Sequence, residues 1–178
     1  MCIARISKFK FKNMKIAIIS DIHENVKNLN VVLDEIKKQE VEQILCLGDL
    51  INPGVAKILA SFEIPTFAVW GNNDGDKVMT TKISLGEGSK LRMGNSTYDF
   101  VEFGGRKIFL THHDDIAVSM AKSGDFNAVF YGHNHEAKKE MVGKCLVLNP
   151  GEISTHKTGK LSFAVYDTEA YDGEIIML

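Results

Sequence analysis

What most constrains the fold of this chain is a recurring unit, a short apolar run that ends on a cluster of polar residues. Ile16-Ala17-Ile18-Ile19 leads to Asp21 and His23, Gln43-Ile44-Leu45-Cys46-Leu47 to Gly48-Asp49, and Thr66-Phe67-Ala68-Val69-Trp70 to Gly71-Asn72-Asn73-Asp74. Runs this short and this wholly apolar predict parallel strands covered on both faces. Between the first two, Leu29, Val32, Leu33 and Ile36 recur at helical spacing, which predicts an amphipathic helix over 25–38 with Glu24 or Asn25 near its start. Pro53 suits the first turn of a second helix, reaching to about Phe62. Strand, helix, strand, helix, strand with short connections implies right-handed crossovers, so the carboxyl ends of the strands share one edge of a sheet. Ligands of open α/β sheets bind outside that edge. In an extended backbone residues i and i+2 point the same way, so Asp21 and His23 are expected to project together. Gly48 and Gly71 would let backbone approach the site closely.

The second half reads differently. Residues 75–96 carry Gly86, Gly88 and Gly94, which break any helical period, and read as a connection or lid. From Thr97 the pattern turns to hairpins, with strands over 98–103 and 107–111 flanking Gly104-Gly105. Thr111-His112-His113-Asp114 ends a strand and opens a helix to about Lys122, and Ala128-Val129-Phe130-Tyr131 runs into Gly132-His133-Asn134-His135. Two strands around Gly143-Lys144, the turn Asn149-Pro150-Gly151, and strands near 161–166 and 174–177 complete the chain. Two facing mixed sheets with helices outside fit this order better than one doubly wound sheet.

Five of the six histidines, His23, His112, His113, His133 and His135, stand at strand ends. A single Asp-x-His is ordinarily a strand-to-helix junction with a capping Asp. Asp21-x-His23 together with His133-x-His135 is not so explained. Imidazoles clustered with carboxylates and an amide suit Mn²⁺, Fe²⁺, Ni²⁺, Co²⁺ or Zn²⁺ and disfavour Ca²⁺ or Mg²⁺. His156, in a Ser/Thr/Lys loop, reads as surface.

Composition narrows the partners. A net charge of -2 argues against a nucleic-acid binder that works through bulk electrostatics, and no apolar run approaches the roughly 18 residues of a membrane span. The three cysteines form no C-x-x-C pair, and Cys46 and Cys145 sit in apolar runs, so a reduced, cytoplasmic protein is expected. Residues 1–13 carry Arg5, Lys8, Lys10 and Lys12 without an acid or the apolar stretch of a secretory signal. They read as a disordered extension or a mis-assigned start ahead of Met14, with a basic membrane or RNA arm as the alternative. A single domain is expected over 14–178.

The ordered motifs Asp-x-His, Gly-Asp, Gly-Asn-x-Asp, Thr-His and Gly-His-x-His resemble those of the calcineurin-like metallophosphoesterase superfamily. The closer likeness is to its small archaeal and bacterial phosphodiesterases of the YfcE type, over nearly the whole chain from Met14. The resemblance implies a four-layer α/β/β/α sandwich of two mixed sheets and two divalent transition metals, Mn²⁺ or Ni²⁺ foremost. One metal would take Asp21, His23, Asp49 and His135, and the other Asp49, Asn72, His112 and His133, with Asp49 shared. It implies hydrolysis of a small-molecule phosphodiester by a metal-bridging hydroxide, and is compatible with a homodimer. A phosphomonoesterase or nuclease would use the same ligands, and a non-catalytic scaffold is known on this fold. Two departures matter. Many members of the wider superfamily, though not the small phosphodiesterases, have histidine where this chain has Asn73, so the group often credited with protonating the leaving group is missing. Where the small phosphodiesterases have Thr-His-Gly-His, this chain has Thr111-His112-His113-Asp114. Asn73, His113 and Asp114 are thus the candidate catalytic residues beyond the ligands, with a helix-capping Asp114 and an exposed His113 as the plain alternative.

Overall fold

The structure, a computed structural model, describes residues 12–178. Most of the extension expected over 1–13 lies outside the described residues. Within them Lys12 pairs with Glu42 at 2.7 Å just before the first strand.

The elements follow in the order β1 (Lys15–Ile19), α1 (Val26–Lys37), β2 (Gln43–Cys46), α2 (Pro53–Ser61), β3 (Thr66–Ala68), α3 (Lys77–Ser84) and β4 (Leu91–Met93). They continue with β5 (Tyr98–Phe103), β6 (Arg106–Thr111), α4 (Asp114–Lys122), β7 (Ala128–Tyr131), β8 (Lys138–Val142), β9 (Cys145–Asn149), β10 (Ser162–Asp167) and β11 (Asp172–Met177). The order β11-β10-β1-β2-β3-β4 makes one mixed sheet and β5-β6-β7-β9-β8 the other. α1 begins as expected, the Asn25 side chain accepting from Asn28 N, and Asn52 caps α2 ahead of Pro53 at its first position. The expectation for 75–96 is corrected. The segment holds α3 and β4, because its glycines fall after the helix and around the short strand rather than within either. Asp76 supplies the α3 cap, accepting from Met79 N.

Alternation along β1 shows how the layers form. Ala17 and Ile19 face the core shared with Leu29, Val32 and Ile36 of α1 and Val55 and Leu59 of α2. Ile16 and Ile18 face the opposite way, into a core between the sheets with Leu45, Ile108, Leu110, Phe130, Leu146 and Tyr166. On the far side of the second sheet Phe109, Val129, Tyr131 and Val147 receive Ala117 and Ala121 of α4. The result is a four-layer α/β/β/α sandwich. β1, β2 and β3 run parallel in one sheet, β6, β7 and β9 in the other, so the carboxyl ends of both sets open on a common edge.

Candidate metal centre

Every expected ligand lies just past the end of a strand, and most are held in a backbone conformation that side chains rarely adopt. Asp21, His23, Asp49, His133 and His135 have φ of 53°, 43°, 55°, 72° and 68°. Left-handed backbone costs on the order of 1–3 kcal/mol per non-glycine residue, and such strain gathers at functional sites where the surroundings enforce it. This changes the reason for one expectation. Asp21 and His23 do reach the same place, yet β1 has ended at Ile19, and a tight turn brings them together instead of strand alternation. The turn is held by backbone: Ile22 N and His23 N both donate to Asp49 O, at 3.1 and 3.0 Å. His133-x-His135 likewise follows the end of β7.

Two groups of side chains result. In the first, His135 Nε2 stands 3.4 Å and His23 Nε2 3.8 Å from Asp21 Oδ1. In the second, Asn72 Oδ1 lies 2.8 Å from His112 Nε2 and 2.9 Å from His133 Nδ1. Asp49 stands between, its Oδ2 being 3.2 Å from His23 Nε2 and 3.6 Å from His112 Nε2. Asp21, Asp49, His112 and His135 are buried, whereas Asn72 faces solvent, so the cluster is reached from one side.

The donor chemistry fits divalent metal. Asp21 Oδ1 and His23 Nε2 are buried without a hydrogen-bond partner among the described residues. Buried polar atoms left unpaired are costly and call for an explanation. His112 turns Nδ1 to the Leu47 carbonyl at 2.8 Å, and His135 turns Nδ1 to Glu152 at 2.7 Å. If each ring donates that proton outward, its Nε2 carries a lone pair aimed at another acceptor, Asn72 Oδ1 or Asp21 Oδ1. A cation resolves such an arrangement, and outward hydrogen bonding of this kind orients metal-binding histidines. Burial pushes the Asp21 carboxyl up, but the facing His23 imidazole, the Ser20 hydroxyl and the nearby His112 and His135 outweigh it and hold it below its ordinary value. Asp21, acting against burial, and then Asp49 raise the His23 imidazole in turn.

The other candidates separate. Asn73 donates to Asp49 twice, from its backbone N at 2.9 Å and its Nδ2 at 2.8 Å, so it holds the central carboxylate. Asp74 accepts from Ile51 N and Gly71 N, bracing two loops from behind. His113 occupies the cap position of α4 without a capping hydrogen bond, its ring 5.3 Å from that of His112 and 5.4 Å from that of His133. Asp114 sits in the first helical turn, accepting from Asp115 N. His156 is exposed, as expected, yet its ring lies 5.8 Å from that of His23. Sequence reasoning overlooked Glu152. Wholly buried, it accepts from His135, Ser154 Oγ, Thr158 Oγ1 and the backbone N–H groups of His156, Lys157 and Thr158. Burial pushes its carboxyl up, but Ser154, His135 and Thr158 prevail and hold it down at about 2. An acid directly after Asn149-Pro150-Gly151 was the available signal.

The calcineurin-like phosphoesterase superfamily domain matches residues 14–171. Phosphodiesterase MJ0936 of Methanocaldococcus jannaschii is 34% identical over 170 residues, covering 93% of this chain and 99% of that protein. The chain belongs to the calcineurin-like phosphoesterase superfamily. A solved structure described as a novel archaeal phosphodiesterase superposes with a TM-score of 0.81 at 31% identity, over 93% of this chain and all of that one. The E. coli phosphoesterase YfcE (TM-score 0.66, 20% identity, 92% and 98% covered) and a Vps29 from Entamoeba histolytica (0.65, 18%, 93% and 98%) share the fold. As a calcineurin-like phosphoesterase the chain is a phosphoric ester hydrolase of a metal-binding family. No helix among the described residues is long and apolar enough to cross a membrane.

Proposed function

We propose that this calcineurin-like phosphoesterase is a dinuclear phosphodiesterase acting on small phosphodiesters. The observation that carries the reading is the pairing of two ligand groups around one carboxylate. Asp21, His23 and His135 lie on one side of Asp49, and Asn72, His112 and His133 on the other. Mn²⁺ or Ni²⁺ suits this mixed imidazole, carboxylate and amide set best, with Fe²⁺, Co²⁺ and Zn²⁺ following. When bound, such a pair supplies Lewis acidity to the phosphoryl oxygens and lowers the pKa of water toward neutrality.

The chain's own residues do the rest. Asn73 fixes the Asp49 carboxylate with two donors, and Leu47 O and Glu152 fix the ring planes of His112 and His135. The exposed side, flanked by Asn72 and His133, admits the ester. Asn73 is turned to Asp49 and is not an acid, which leaves His113, beside His112 and His133, better placed than Asp114 to meet a leaving group. Diester preference draws support from the resemblance to the archaeal phosphodiesterases.

The test is metal content by mass spectrometry together with turnover of bis(p-nitrophenyl) phosphate after loading with Mn²⁺ or Ni²⁺. Two ions per chain and metal-dependent turnover are expected. Full activity in a metal-free preparation would overturn the reading.

A further inference from the structure

A phosphate ester held at the metals still has a non-reacting oxygen to be received, and one lysine is built into the rim of the site. The loop after the Asn149-Pro150-Gly151 turn is gathered onto Glu152. His156 N, Lys157 N and Thr158 N donate in succession to its carboxylate, at 2.9, 3.1 and 2.6 Å. Consecutive amides converging on one anion make a stiff nest. The same segment is sewn to the first strand's end, Ile153 N donating to Ser20 O at 3.2 Å and Ser154 N to Asp21 O at 2.9 Å. The loop is therefore registered against a ligand residue, Asp21, and against the ring of His135.

From this loop Lys157 Nζ reaches back to the carbonyl of His133 at 3.2 Å. His133 N donates to Asp21 Oδ2, and its ring meets Asn72, so the ammonium is docked on a residue of the cluster itself. An ammonium has three donors, and one is used here. Like several other lysines, Lys157 has no carboxylate within 4 Å among the described residues, and what sets it apart is the contact of its ammonium with His133. Its charge and remaining N–H groups are left for something else.

We infer that Lys157, held by the Glu152 loop, is a substrate-binding residue that receives a non-reacting phosphoryl oxygen. The inference rests on the phosphoesterase reading of the same centre. A phosphomonoester brings a second negative charge to the site and a diester one, so Lys157 favours the monoester and widens the range of esters accepted.

The experiment compares wild type, Lys157→Ala and Lys157→Arg as metal-loaded proteins, on p-nitrophenyl phosphate and bis(p-nitrophenyl) phosphate. A hydrogen bond to a charged group supports about a ten-fold loss on removal, so KM for the monoester rises about ten-fold in Lys157→Ala and that for the diester about three-fold. The change in kcat is the smaller one, metal content and melting temperature hold, and Lys157→Arg recovers most of the loss. Calorimetric titration with orthophosphate gives the same ranking independently of turnover. If the wild type hydrolyses neither ester, the catalytic reading fails while the phosphate titration still decides the role of Lys157. Unchanged KM and phosphate affinity in Lys157→Ala, or a loss that follows metal content, overturns the inference.

Discussion

Asp49→Asn is the most discriminating change, because one side chain lies between both ligand groups. It is nearly isosteric, and Asp49 is 1% exposed, so packing is retained. In the metal-free protein two effects oppose each other. Asp21 and Asp49 each offer an oxygen within 4.8 Å of the other, and removing one buried charge relieves that repulsion. Against it, Asn73 Nδ2 now faces an amide in place of a carboxylate oxygen, costing roughly 1–3 kcal/mol. The metal-free melting temperature should therefore move by only a few degrees. Metal changes the comparison. An ion held at a hundred times its Kd adds about 2.7 kcal/mol of stability. For a chain of this length each kcal/mol shifts melting by roughly 2–4 °C, or ~5–11 °C per ion. Scanning fluorimetry with and without Mn²⁺ should show the full shift in wild type, about half in His23→Ala, which spoils one group, and almost none in Asp49→Asn. Turnover should follow the same order. An Asp49→Asn protein that keeps half or more of the metal-induced shift would refute the shared-ligand argument.

Other outcomes follow from neighbouring contacts. Glu152→Ala strands the buried donors of His135 and Ser154 and the part-buried 156–158 backbone N–H groups, so chemical denaturation should show a loss of about 3 kcal/mol or more, and metal titration a 10- to 100-fold weaker site. Gly71→Ala would place a methyl 2.3 Å from Asp49 N, a backbone atom that no rotamer change moves, so expression in soluble form or the metal-induced melting shift should be lost. With Asn73 committed to Asp49, turnover of aryl diesters should exceed that of alkyl diesters, with a steep dependence on leaving-group pKa. A flat dependence in wild type that turns steep in His113→Ala would instead assign the acid to His113.

Much of this protein was legible in one dimension because local rules and tertiary demands agree. Apolar runs with helical spacings between them predicted β1, α1, β2, α2 and β3 within a residue or two, and strand ends named the residues that gather at the site. The glycine-rich stretch before β5 misled, since α3 is short and half-exposed, and its glycines lie outside its hydrogen-bonded turns.

What sequence alone determined, then, was the set of chemical groups and the sheet edge to which parallel pairing delivers them, both consequences of period-two and helical patterning. Tertiary structure alone decided how those groups face one another. The left-handed turns of Asp21, His23, Asp49, His133 and His135 are imposed by contacts between loops distant in sequence, such as His23 N to Asp49 O and His133 N to Asp21 Oδ2. The same holds for Asn73 on Asp49, Glu152 behind His135 and Lys157 on the His133 carbonyl. Residue spacing carries no sign of these pairings, because some join neighbouring strand ends of one sheet and others, such as His133 N to Asp21 Oδ2, join segments that meet only when the two sheets pack.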